Sequence, residues 1–127
     1  MKTSKHDTTP EEFELFKSEC LRWIGFFGLT DWKVDFVHEK LNSDGYAECR
    51  FNGVASKFVI MALGISCSKY HRKFLRIEQT AFHEVCELLL YPLEYLGTAR
   101  YVQPEEFEPA RHGIIRSLEN SVYKNCK

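Results

Sequence analysis

"TAFHEVCELLL", residues 80–90, places a histidine and two carboxylates inside an apolar run. Leu75, Phe82, Val85, Leu88 and Leu89 give the segment a broad apolar surface at helical spacing, which predicts a long core helix. Pro92 is expected to kink or end it. Charge in such a helix is costly unless it is compensated. His83, Glu84 and Glu87 must therefore be paired, exposed in a cleft, or given a metal.

Residues four apart on a helix share a face, about 5–6 Å apart at Cβ. His83 and Glu87 can thus grip one ion, with Glu84 roughly 100° round the helix beside them. The logic is that of the H-E-x-x-H zinc helix, in which two ligands flank a general-base Glu. Here the motif reads H-E-x-x-E, so the second ligand is a carboxylate. A third ligand is expected from the last helix, whose candidates are Glu105, Glu106, Glu108, His112 and Glu119. His112 is preferred and Glu108 is its alternative. His112 falls at the edge of the stripe Ala110, Ile114, Leu118, Val122, and Gly113 beside it leaves room for close approach. His83, Glu87 and His112 also restore the two-His, one-Glu composition common in zinc peptidases. Cys86 leans to the apolar side and reads as a core thiol.

The surrounding elements follow from capping and periodicity. Thr9, Pro10 and Glu12 have capping-box spacing. Phe13, Phe16, Cys20, Trp23, Ile24 and Phe27 then form the stripe of a helix ending near Gly28. "DWKVDFVHEKL", "YAECRF" and "VASKFVIMAL" read as strands, divided by the turn signals "NSDG" (42–45) and "NG" (52–53). Residues 32–63 are expected to form a three-stranded antiparallel meander. Residues 66–73 read as a basic polar link, "GTARYVQPEE" as a loop, and about 105–124 as the last helix, with Pro109 tolerable only in its first turn. The outline is α+β, in the order α-β-β-β-α-α. Residues 1–9 are expected to be a flexible tail and 10–127 a single domain.

Composition limits the function classes. The chain has 127 residues, 17 basic and 18 acidic, for a net charge of −1. That balance argues against neutralising phosphates as the main task, so no nucleic-acid partner is expected. The basic cluster "SKYHRKFLR" (68–76) reads as a solvated helix start. The longest apolar runs are too short to span a bilayer, so no membrane role is expected, and the first nine residues carry no secretory h-region. The five cysteines are far apart and contain no C-x-x-C, which fits reduced thiols in a cytosolic protein.

"LRWIGFFGLTDWKV", "TAFHEVCELLL" and "RHGIIRSLEN", in this order, resemble segments of the small zincin-like metallopeptidases encoded by bacteriophages and prophages, minimal relatives of gluzincin and SprT-like proteins. The resemblance spans about residues 11–121. It implies a minimal zincin-like fold: an N-terminal helix, a small sheet, a zinc helix and a C-terminal ligand-bearing helix. It implies Zn²⁺ as cofactor, His83 as first ligand, Glu84 as general base, Glu87 in the place of the second His, and His112 in that of the third ligand. The implied activity is hydrolysis of a protein or peptide substrate in the cytoplasm of a bacterial host. Tyr91 and Tyr101 are candidate oxyanion partners. The competing expectation is a binding protein on the same scaffold, which exposed aromatic surface at Trp23, Phe26 or Phe27 would favour.

Overall fold

A computed structural model describes residues 6–42, 45–52, 55–98, 101 and 103–126. Seven helices and strands follow in the order α1 (Pro10–Phe26), β1 (Lys33–Glu39), β2 (Ala47–Phe51), β3 (Phe58–Gly64), α2 (Lys69–Phe74), α3 (Ile77–Thr98) and α4 (Pro104–Leu118). A π-helical segment, Glu119–Tyr123, extends α4. The architecture is α+β, with four helices and a three-stranded sheet.

Helix α1 begins as its sequence dictates. The Thr9 hydroxyl accepts from the Glu12 amide at 3.1 Å, and the Glu12 carboxylate accepts from the Thr9 amide at 3.0 Å. Phe16, Cys20 and Ile24 are buried on its inner face. Gly28, at φ 71°, turns the chain out of the helix in the left-handed region that glycine enters freely. Thr8, within the expected tail, is buried and donates its amide to the Ile65 carbonyl at 2.9 Å. Residues 1–5 of that tail lie outside the described residues, as do 43–44 and 53 of the expected turns and 99–100 and 102 of the expected loop.

The sheet is not an antiparallel meander. Its strand order is β1-β3-β2, with β1 parallel to β3 and β2 antiparallel to β3. The cause is burial. β3 is the most apolar strand, with Val59 and Met61–Gly64 all buried, and it takes the centre, where a strand flanks it on each side. β1 must then take the far edge, and the connection from β1 to β2 crosses the end of β3. The Gly64 amide donates to the Tyr46 carbonyl there at 2.7 Å. A Cβ at Gly64 would meet that same carbonyl oxygen at 3.1 Å and the Leu41 side chain at 3.3 Å, so a side chain there would press on the crossing.

Helices α1 and α3 pack with Val59, Met61 and Leu63 of β3 in one core. On β2, Arg50 pairs with Glu48 at 2.9 Å and also with Glu39 of β1, and so spans the sheet near the fully buried Ala62.

Four helical details depart from the sequence expectation. The basic link contains α2, capped by the Ser68 hydroxyl accepting from the His71 amide at 3.0 Å. α3 continues through Pro92 to Thr98. Its far half is held by tertiary packing, with Tyr91 stacked on Phe51 and Pro92 lining the groove toward α4. Pro109 lies beyond the first turn of α4, in the helix interior. The expected single last helix gives way to the π segment where the Ser121 hydroxyl donates to the Ser117 carbonyl at 2.5 Å and competes with the ordinary backbone bond. Among the described residues, no helix is long and apolar enough to cross a membrane.

A candidate acid–base and metal site between β2 and α3

Strand β2 and helix α3 run side by side in the same direction. Cys49 meets Glu84, and two residues further along the strand Phe51 meets Tyr91, their rings stacked at 3.6 Å and 3°. Alternation in β2 turns Ala47, Cys49 and Phe51 toward the helix. Helical periodicity turns Thr80 and Glu84 toward the strand, while His83 lies about 100° away on the open side. A cleft of about 400 Å³ opens between the start of β2 and the first half of α3, and both His83 and Glu84 line it.

Glu84 is the unusual group. It is only 4% exposed, in a position where most residues are apolar. The Cys49 thiol donates to its Oε2 at 3.2 Å and to its backbone carbonyl at 3.4 Å. Burial, reinforced by a hydrogen bond and charge repulsion from Glu87, raises the Glu84 pKa from 4.5 to about 8, against the opposing effect of the Cys49 hydrogen bond. Near neutrality Glu84 therefore holds a proton. The Cys49 thiol is pushed far above its ordinary value by burial and then by the charge of Glu84, so in the free protein it stays protonated.

Among the described residues, one group of potential metal ligands has its donor atoms all within 4.8 Å of one another: Cys49, Glu84 and Glu87. The fold thus brings two of the predicted residues together and adds Cys49, which the motif did not name. The signal for Cys49 was its place on the apolar side of the strand that faces α3. His83 and Glu87 are both exposed, and His83 lies outside that group though it shares the cleft with Glu84.

His112 is also outside the group, and it is exposed. α4 faces α3 through Pro109, Ala110, Gly113, Ile114 and Ser117, which line a groove with Leu88, Leu89 and Pro92. At 100° per residue, His112 lies about 140° from the middle of that face. Glu108 is likewise exposed and lies on the far side. A Cβ at Gly113 would meet nothing within 4 Å, so no close approach depends on that glycine. Tyr91 is packed between Trp32 and Phe51, and Tyr101 is 80% exposed.

Comparison with protein-family models, curated proteins and solved structures gives no match.

Proposed function

We propose that this chain is a zincin-like, metal-dependent peptidase acting in the cytoplasm, with its reaction centre in the cleft between β2 and α3. The observation that carries the reading is the buried Glu84 carboxyl, which holds a proton against Glu87 at the wall of an open cleft. Carboxyls tuned toward neutrality by burial and a like-charged neighbour are typical of acid–base groups in catalytic sites.

The donor set fits a zinc ion. An imidazole, two carboxylates and a thiol are the ligand types zinc accepts, and three of these donors already lie within 4.8 Å of one another. His83 and Glu87, four apart on α3, would hold the ion. Cys49 is the third donor favoured by position, since His112, the donor preferred on sequence grounds, sits on the far side of α4. Bound zinc supplies a Lewis acid that polarises a carbonyl and acidifies water. With the ion held there, Glu84 would be ionised, and its carboxylate would accept a proton from an attacking water and pass it to the leaving amine. In the metal-free chain Cys49, donating to Oε2, fixes the orientation of the protonated carboxyl; as a zinc ligand it would be a thiolate and would give up that hydrogen bond. Residues 45–47 at the start of β2 form the wall opposite α3, where an extended peptide can lie.

A second reading, a binding protein on the same scaffold, is favoured by one observation. Phe26 and Phe82 are 36% and 37% exposed around the half-buried Trp23.

One experiment separates the two readings. Protein purified without chelator or a metal-binding tag is assayed for zinc by mass spectrometry and for cleavage of denatured casein and a broad peptide library. The peptidase reading expects one zinc per chain, and a Glu84→Gln variant that keeps zinc but loses about 10²- to 10⁴-fold in turnover. A zinc-loaded wild type that cleaves nothing leaves the binding reading in place, and a Glu84→Gln variant as active as wild type removes Glu84 as the general base.

A further inference from the structure

The cleft beside Glu84 has a second charged wall. Arg76, just ahead of α3, lines it together with Phe74, Gln79 and Thr80. The Arg76 Nη1 donates to the Leu75 carbonyl at 3.1 Å. Arg22, Arg50 and Arg72 are each engaged by glutamates. Arg76, by contrast, forms no ion pair among the described residues. Arg111 and Arg116 share that condition, but they lie on α4, outside this cleft. Arg76 is therefore, among the described residues, the arginine that lines the cleft beside Glu84 without a carboxylate partner. A guanidinium fork matches a carboxylate with two parallel hydrogen bonds.

The spacing along α3 sets the range. Arg76 immediately precedes the first turn of α3 and stands seven positions ahead of His83, so the two lie about 10 Å apart along the axis. An extended peptide advances about 3.4 Å per residue, so that distance is about three residues. We infer that Arg76 forms a carboxylate subsite, and that the cleft selects peptides carrying a carboxylate about three residues from the bond to be cut. The ring of Phe74, 55% exposed at the same end, gives the aliphatic part of such a residue an apolar contact. The inference rests on the peptidase reading for its reaction, but the subsite is defined by binding alone.

The carboxylate has two sources, an Asp or Glu side chain or a free peptide C-terminus. Fluorescein-labelled peptides with one Glu, Gln or Lys at each position of a neutral frame, with free or amidated C-termini, are titrated against the full chain. Glu peptides are expected to bind at least about tenfold more tightly than their Lys counterparts, about 1.4 kcal/mol. A preference that survives amidation assigns the subsite to side chains; one that vanishes assigns it to the C-terminus. Arg76→Glu should reverse the preference, Arg76→Lys should keep it in weaker form, and Arg116→Glu should leave it unchanged. Equal binding of Glu and Lys peptides, no binding of any peptide, or a preference indifferent to Arg76→Glu overturns the subsite. Acid-selective binding without hydrolysis overturns the peptidase reading and leaves the subsite standing. Hydrolysis without acid selectivity does the reverse.

Discussion

Glu84 concentrates the chemistry of this chain in one side chain, and its protonation has a thermodynamic signature separate from any turnover. In the folded protein its pKa is raised to about 8 from 4.5. Between those values the folded state holds a proton that the unfolded state has lost. Metal-free stability must therefore fall as pH rises across that window. Gln at position 84 can donate to Glu87 and accept from Cys49 as the protonated acid does, without a proton to lose. Urea midpoints measured in chelator should thus fall between pH 5 and pH 8 for wild type and fall far less for Glu84→Gln. Equal slopes for the two proteins would show that Glu84 is ionised in the fold. Of this site, the sequence made the helix and its three polar residues legible, because i, i+4 spacing is local. Cys49 was not legible as a partner. It lies 35 residues from Glu84, and only the packing of β2 against α3 brings them together. His112 looked close to the apolar stripe in sequence, yet the face of α4 that meets α3 is set by Ala110, Gly113 and Ile114.

The elements show where local signals suffice and where they give way. Capping at Thr9 and the stripe of α1 were readable because both lie within a few turns of one helix. Strand positions were readable from alternation, but strand order was not. Whether β2 lies beside β1 or on the far side of β3 depends on which strand wins the centre, a property of the whole sheet. The crossing itself makes a contrast that can be measured. Gly64→Ala should cost about 1–3 kcal/mol, since its Cβ would press on the Tyr46 backbone oxygen at 3.1 Å. Gly113→Ala, in the interior of α4 with nothing within 4 Å, should instead stabilise by up to about 1 kcal/mol. Chemical denaturation of both variants checks the pair, and a neutral Gly64→Ala would mean that the crossing loop yields at little cost.

The molecule as a whole should respond to metal as a single cooperative unit, because α3 carries both the donors and much of the core. Zinc at 100 times its dissociation constant should add about 2.7 kcal/mol, raising the melting temperature by roughly 10 °C for a domain of this size. Cys49→Ser should shrink that increment while Cys86→Ser leaves it intact, as calorimetry with and without chelator can determine; an equal loss in both variants would remove Cys49 from the ligand set. The mixed sheet also bears on how fast the chain reaches its native state. The β2–β3 hairpin joins near neighbours, whereas every β1–β3 partner pair, from Lys33 with Phe58 to Glu39 with Gly64, is separated by 25 residues. Loop closure makes the parallel pairing the later event, so the hairpin belongs to the folding nucleus and β1 docks onto it afterwards. Truncating Phe51 should therefore slow refolding in stopped-flow measurements, while truncating Val34 should chiefly hasten unfolding.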